Sequence, residues 1–184
     1  MNETIKIIKR RRSNRSFTGK QIKKDDLRLI LSAAMSAPFA GDALCHFTVI
    51  QDKKMLDELN SEAKEAAKTL GIEAIAAMAS DEKFHCFYNA PTLIITSTKK
   101  ESVSPEMDAS AATENMLIAA ESLGLGACWI YFVLFLFHTP KGEKYLEKLK
   151  IPKGYKPYTS AALGYKTAPL QSAANRRNNR VTYI

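Results

Sequence analysis

Apolar side chains recur along this chain at two spacings, and each spacing predicts one kind of element. Recurrence every three to four residues predicts helices over 3–12, 24–36, 53–70, 72–80, 106–123 and 141–149. Short apolar runs bounded by turn residues predict strands over 46–51, 92–98, 127–131 and 159–164. Because helices and strands alternate, we expect one domain over 1–184, of the α/β or α+β class.

Two of these stretches are more apolar than a surface element needs. The helix over 106–123 is apolar almost all round, which predicts that it is buried. The run from Ala127 to Phe137 is the longest apolar segment, yet its eleven residues fall short of the ~20 that cross a bilayer. We interpret it as buried strand or core, and we expect no membrane partner.

The charge balance narrows the possible partners. With 27 lysines and arginines against 19 acidic residues, the net charge is +8, which suits nucleic acid, an anionic surface or phosphorylated small molecules. The three cysteines form no C-x-x-C pair, and the first residues lack an apolar signal segment. These two features predict free thiols and a cytoplasmic protein.

The densest charge lies between Lys9 and Phe17, where the first predicted helix ends. Five cationic side chains and two hydroxyls occupy these nine residues. One interpretation is a solvated basic helix end. The other is a site for a phosphate or a similar dianion, which guanidinium groups bind in pairs of hydrogen bonds. An anion at a helix C-terminus meets an unfavourable dipole, so several side-chain charges must outweigh it.

Other chemistry finds little support in the sequence. His46, His85 and His138 are far apart, so we predict no metal site. There is no G-x-S-x-G, no P-loop and no G-x-G-x-x-G before a helix, and we predict no catalytic side chain. A nucleic-acid-binding protein is an alternative that rests on the arginines, but the aromatics are not interleaved with basic residues as a stacking surface requires.

Several segments, read together and in order, resemble one family. Residues 11–17 read R-R-S-N-R-S-F, and 123–130 read L-G-L-G-A-C-W-I after the buried helix. Near the C-terminus, 162–166 read A-L-G-Y-K, followed by a double arginine and V-T-Y-I. This set resembles the FMN-dependent nitroreductases in their short bacterial form.

The resemblance implies an α+β fold with a central, mainly antiparallel sheet flanked by helices. It further implies an intertwined homodimer in which the C-terminal segment, about 167–184, extends onto the partner subunit. Two FMN molecules would lie at the dimer interface. The implied cofactor-binding residues are Arg11, Arg12, Ser13, Arg15, Ala40, Asp42, Leu44, Trp129, Ile130, Tyr131, Arg176 and Arg177.

The resemblance also assigns roles and a reaction. Residues of the 11–15 segment hold the phosphate, the ribityl chain and the pyrimidine edge of the flavin, and Arg176 or Arg177 meets the phosphate. Residues 129–131 line the flavin. The implied reaction is hydride transfer from NAD(P)H to flavin and then to a nitroaromatic, quinone or related acceptor, in a ping-pong cycle. The alternative is a flavin-binding protein with little turnover, for storage or sensing.

Two departures from the family pattern bear on activity. In the loop after Pro38, Asp42 stands where the family has Asn, Leu44 stands near a Gln position, and the family Trp is missing. An acidic Asp42 near the flavin disfavours the anionic reduced form unless an arginine pairs with it. The W-I-G of the family is W-I-Y here, so Tyr131 either crowds the flavin or stacks over its substrate face.

Overall fold

A computed structural model of the protein describes residues 1–39, 45–168 and 181–184. Its helices are α1 (Glu3–Arg10), α2 (Lys24–Met35), α3 (Lys53–Lys68), α4 (Glu73–Ser80), α5 (Pro105–Ser122) and α6 (Gly142–Lys148). Its strands are β1 (His46–Ile50), β2 (Thr92–Lys99), β3 (Gly126–Ile130) and β4 (Tyr155–Gly164). A 3₁₀ helix spans Phe132–His138.

The pattern of the sequence predicted these elements, with differences at three places. The first helix ends at Arg10 rather than at residue 12, since Arg11 already has an extended backbone. The fourth strand begins at Tyr155, four residues earlier than predicted, and pairs there with Lys99. The apolar run after Gly126 is strand only as far as Ile130, the last residue that pairs with β4. Beyond it the chain forms the 3₁₀ helix, which still buries Val133, Leu134 and Leu136.

The four strands form one antiparallel sheet in the order β1-β2-β4-β3. Successive side chains of a strand point to opposite faces, and here both faces are covered. On one face, Ile94, Ala161 and Ala127 pack against α2 and α5. On the other face, residues such as Ile95 and Ile130 pack against α3 and the 3₁₀ helix. Burial on both faces is why β2 reads as a nearly continuous apolar run.

The chain after α1 runs along the outer edge of β3. Ser13 forms an isolated parallel bridge with Ala127, and Phe17 forms an antiparallel bridge with Lys166 just beyond β4. We call residues 13–18 the edge segment. It covers the free edge of β3 and thereby places the arginines of the 10–15 stretch beside that strand. Within the described part of the chain, no helix combines the length and the apolar character that crossing a bilayer requires.

Candidate functional site

Residues 9–17, which we call the basic stretch, are held in place by backbone hydrogen bonds. The Arg11 N–H donates to the carbonyl of Ile7 at 2.8 Å, and Arg11 then leaves the helix with φ −51° and ψ 132°. Three residues later, the Asn14 N–H donates to the carbonyl of Ala127 at 2.8 Å. The guanidinium groups therefore project from a segment that is hydrogen-bonded both to α1 and to β3.

Asn14 is the buried residue of this stretch, with only 2% of its surface exposed. Its side-chain N–H group donates to the carbonyl of Ser16 at 2.7 Å. Gly126 lies against it: a Cβ added at Gly126 would meet Asn14 Nδ2 at 2.7 Å. The second glycine of the G-L-G sequence is thus required by close packing on Asn14. In the sequence motif, position 14 is open to any residue, so the role of Asn14 was not predicted. The pattern that pointed to this place was the G-L-G sequence that contains Gly126.

Each arginine has a different partner. Arg10 Nε donates to Glu121 Oε1 at 2.8 Å, and Arg11 Nε lies 3.2 Å from Glu114 Oε1. Both carboxylates belong to α5, so Arg10 and Arg11 tie α1 to the buried helix. Arg12 donates to two backbone carbonyls, those of Lys9 at 3.2 Å and Arg11 at 2.6 Å. It thereby satisfies groups that the C-terminus of α1 leaves unpaired.

Two of the arginines remain without an acidic partner. Within residues 1–39, 45–168 and 181–184, neither Arg12 nor Arg15 forms an ion pair. Arg15 instead donates from Nε to the Tyr88 hydroxyl at 3.2 Å. Arg12 also offsets the dipole at the helix end by binding carbonyls there. The segment therefore offers uncompensated guanidinium charge to an anion that approaches beside β3.

The second predicted group, residues 129–131, lies at the end of β3, and its three side chains differ in how far they are exposed. Trp129 is half-buried and packs on the face that α5 covers. Ile130 is buried in the opposite core, so its backbone is the part that can line a site. Tyr131 is 53% exposed and contacts the Phe135 ring edge-on, with centroids 5.5 Å apart. Trp129 and Tyr131 both line a cavity of about 350 Å³ that also has Tyr158 and Lys156 in its wall.

Cys128 lies between the two predicted groups but does not supply a nucleophile. Burial raises the pKa of its thiol, and the positive charges of Arg15 and Arg11 together with the Ser13 hydroxyl offset this only in part. Burial likewise raises the pKa of Cys86 to about 12. A thiol that stays protonated at neutral pH is a weak nucleophile, and the absence of a catalytic side chain stays a prediction.

Five of the predicted site residues lie outside the described residues: Ala40, Asp42, Leu44, Arg176 and Arg177. Among the residues that are described, no group of three histidine, cysteine or acidic side chains could hold a metal ion. The sequence did not reveal the partners of the arginines, Glu114, Glu121 and Tyr88. Glu114 appeared only as one residue of a buried helix, and Tyr88 lies in a loop with no periodic pattern.

Residues 8–165 match the family model described as the Nitroreductase family. The chain belongs to this family. It is a family of oxidoreductases, and the matched range includes the edge segment, the whole sheet and both groups of predicted site residues that the structure describes.

Relatives of known sequence or structure extend the match to nearly the whole chain. A protein of Archaeoglobus fulgidus, provisionally named NADH dehydrogenase/NAD(P)H nitroreductase, is 34% identical over 90% of this chain and 86% of its own length. A nitroreductase from Bacteroides fragilis, crystallised with bound FMN, has a TM-score of 0.91 and 35% identity, with full coverage of both chains. An FMN-dependent nitroreductase from Clostridium difficile has a TM-score of 0.83 and 27% identity, covering 100% of this chain and 99% of its own.

Proposed function

We propose that this protein binds FMN beside β3 and uses it as an oxidoreductase. The observation that carries the proposal is the pair of guanidinium groups, Arg12 and Arg15, that have no acidic partner within the described residues. A phosphate near −2 at neutral pH is well matched by such groups. The bound FMN of the Bacteroides fragilis relative, which matches this chain along its full length, supports the same ligand.

In this proposal, the two groups of described residues bind different parts of the cofactor. The 11–15 segment meets the phosphate, the ribityl chain and the pyrimidine edge through Arg11, Arg12, Ser13 and Arg15. Trp129, the Ile130 backbone and Tyr131 line the flavin ring. A cation close to the pyrimidine edge stabilises negative charge there and so raises the flavin potential. Arg176 or Arg177 adds a charge at the phosphate, and Ala40, Asp42 and Leu44 come from the partner subunit.

When bound, FMN supplies hydride transfer from NAD(P)H to a nitroaromatic, quinone or related acceptor in a ping-pong cycle. The side chains of this protein bind and orient the flavin, exclude water and set the charge at its edges. None has to move a proton at a reacting atom, which fits the high thiol pKa of the buried cysteines. A cytoplasmic location stays a prediction from the cysteine pattern.

The second part of the proposal is that the protein acts as an intertwined homodimer. No residue of α1 is buried, although Ile5 and Ile8 share one face of the helix. Leu29 and Met35 on α2 and Met107 on α5 are also exposed. Both α1 and α2 contact α5, so these apolar side chains lie on neighbouring helices. The exposed Val181, Tyr183 and Ile184 suit a tail that packs on the partner.

Purification of the full chain tests the cofactor first. We expect a yellow protein, or a colourless one that takes up added FMN with quenching of flavin fluorescence. A colourless preparation that does not take up FMN contradicts the proposal. Anaerobic stopped-flow mixing with NADH and with NADPH then tests the enzyme, because a reductant that reacts removes the visible absorbance of the flavin.

A flavin-binding protein with little turnover is the second candidate. The altered 38–46 loop and the exposed Tyr131, which replaces the family glycine, favour it. The stopped-flow experiment separates the two candidates. Bound flavin that stays oxidised with both nucleotides identifies a storage or sensing protein, whereas rapid bleaching followed by reoxidation with a quinone identifies the enzyme.

A further inference from the structure

The loop that joins α4 to β2 contains two consecutive residues in a backbone region that side chains rarely adopt. Tyr88 has φ +57° and Asn89 has φ +54°, and neither is glycine. A non-glycine residue in this region is sterically strained, so it persists where the surroundings hold it. Strain of this kind points to a side chain that has to be aimed in a particular direction.

The surroundings hold this loop through its backbone. His85 Nδ1 accepts hydrogen bonds from the N–H groups of Asn89 at 3.2 Å and Phe87 at 3.4 Å. On the α3 side, the Cys86 N–H donates to the side chain of Asn60 at 2.8 Å. Burial lowers the pKa of His85 to about 4, so Nδ1 remains an acceptor at neutral pH.

The conformation of this loop directs the side chain of Tyr88 towards Arg15. The Tyr88 hydroxyl accepts from Arg15 Nε at 3.2 Å. The Arg15 Cζ atom also lies 5.9 Å from the centre of the Tyr88 ring, within range of a cation–π contact. An exposed arginine normally samples many rotamers, and fixing it in one of them costs side-chain conformational entropy. Because Tyr88 already restricts Arg15, part of that entropy is lost before any ligand binds.

We propose that Tyr88 is a positioning residue, which holds the Arg15 guanidinium where it meets the pyrimidine edge of the bound flavin. The inference rests on the proposed function, because it needs FMN in the site. Through Arg15, the Tyr88 hydroxyl strengthens FMN binding and raises the potential of the bound flavin. The ring of Tyr88 packs against the core beside α3, so the ring contributes to folding and the hydroxyl to the site.

The substitution Tyr88→Phe tests this division, because it removes the hydroxyl and keeps the ring. We expect an unchanged melting temperature, a Kd for FMN that rises about threefold to tenfold, and a more negative flavin potential. The matched control is Tyr155→Phe. Tyr155 also carries a phenol in contact with the core, but it begins β4, and the edge segment bridges beyond the opposite end of that strand.

A double-mutant cycle shows whether Tyr88 acts through Arg15. If it does, Tyr88→Phe changes the Kd for FMN and the potential in the wild-type background and leaves both nearly unchanged in the Arg15→Ala background. Equal effects in the two backgrounds overturn the inference, because Tyr88 then acts on the flavin independently of Arg15.

The same measurements keep this inference separate from the proposed function. If wild type fails to bind FMN, the proposed function fails and takes the inference with it. If wild type binds FMN while Tyr88→Phe matches both wild type and Tyr155→Phe in Kd and potential, the inference alone is overturned. A fall in melting temperature with no change in Kd or potential assigns Tyr88 to folding and also overturns it.

Discussion

The side chains of the basic stretch differ in what they bind, although they are alike in the sequence. Arg10 and Arg11 meet carboxylates of α5, Arg12 meets backbone carbonyls, and Arg15 meets the hydroxyl of Tyr88. Arg10 is therefore a structural residue, because its partner Glu121 is buried, whereas the partner of Arg11, Glu114, is 42% exposed and leaves Arg11 free to meet a ligand. The charge available to a ligand comes from the residues that follow it.

Alanine substitutions should reveal this division. We expect Arg11→Ala and Arg15→Ala to weaken FMN binding about tenfold to a hundredfold, the loss of a charge-assisted hydrogen bond. Arg10→Ala should leave the Kd for FMN within about twofold of wild type and lower the melting temperature instead, because it removes one of the two cationic partners of the buried Glu121. Fluorescence titration of FMN measures the three constants. Equal losses at all three positions would indicate a diffuse basic patch.

The contact between Gly126 and Asn14 gives a second prediction at this scale. Gly126→Ala places a methyl group against the buried amide of Asn14, and overpacking of this kind costs about 1 to 3 kcal/mol. We expect a lower free energy of unfolding and weaker FMN binding, since Asn14 fixes the segment that carries the arginines. Gly19→Ala is the matched control, because its Cβ meets no atom within 4 Å. Urea denaturation compares the two variants.

His85 links stability to pH. Burial lowers its pKa from 6.5 to about 4 in the folded protein, while Asp57 raises it and Lys53 and Lys64 lower it further. Between these two values the unfolded state binds more protons, so the free energy of unfolding falls as pH falls from 6.5 to about 4. Burial lowers the pKa of His46 as well, which acts in the same direction. Denaturation from pH 7 to pH 4.5 should show a shallower fall for His85→Gln.

At the scale of elements, Glu121 connects three of them. This buried carboxylate near the end of α5 accepts from Arg10, the last residue of α1, at 2.8 Å and from Lys166 after β4 at 2.6 Å. A carboxylate with two cationic partners stabilises their arrangement, and removing it leaves both cations unpaired near the core. Glu121 thereby ties the end of α1 to α5 and to the residues that follow β4.

Glu121→Gln should therefore destabilise the protein by about 3 kcal/mol, as expected for breaking a buried ion pair. The control is Asp25→Asn, which breaks the exposed pair with Arg28 and should leave the free energy of unfolding unchanged within error. Chemical denaturation measures both. A Glu121→Gln protein as stable as wild type would mean that α1 is held by other contacts.

The elements themselves were largely readable from the sequence. Apolar spacing located each helix, because helices bury one stripe, and it located β2, because that strand is covered on both faces. The start of β4 was missed because 155–158 mix polar residues and a proline in a partly exposed stretch. The 3₁₀ helix was missed because a short apolar run fits several conformations, and only the end of pairing at Ile130 decides among them.

The site was readable only where its residues are adjacent in sequence. The 11–15 and 129–131 stretches could be named because each is one short motif. Glu114, Glu121 and Tyr88 could not, since their roles depend on contacts that span many positions. The Arg15 to Tyr88 hydrogen bond spans 73 positions, and the Arg10 to Glu121 bond spans 111. Nothing in local pattern identifies such pairs.

At the scale of the whole molecule, the exposed apolar side chains of α1, α2 and α5 belong to one side of the sheet. The opposite side is covered by α3, the 3₁₀ helix and α6. In a monomer, Ile5 and Ile8 would stay exposed to water, which is unfavourable for apolar side chains. In the proposed homodimer they are covered, and each flavin site is completed by the partner subunit.

Ile8→Glu tests this arrangement, because a carboxylate cannot be buried unpaired in an apolar interface. We expect the variant to elute as a monomer and to lose most of its FMN. Ile72→Glu is the control: Ile72 is also an exposed isoleucine, but it precedes α4, which packs on α3 behind the opposite face. Light scattering after size exclusion measures both masses. A dimeric Ile8→Glu protein with full FMN content would place the interface elsewhere.

The edge segment has a consequence for solubility. A strand at the border of a sheet offers unpaired backbone groups to other chains, and proteins protect such borders to avoid aggregation. Here β3 is protected by the edge segment, which carries Arg15, one of the arginines proposed to bind FMN, and which is attached by two isolated bridges. A ligand that binds Arg15 would therefore also hold the edge segment against β3. If FMN binds there as proposed, we expect expression with added riboflavin to increase both the fraction of the protein that stays in solution and the fraction that is active.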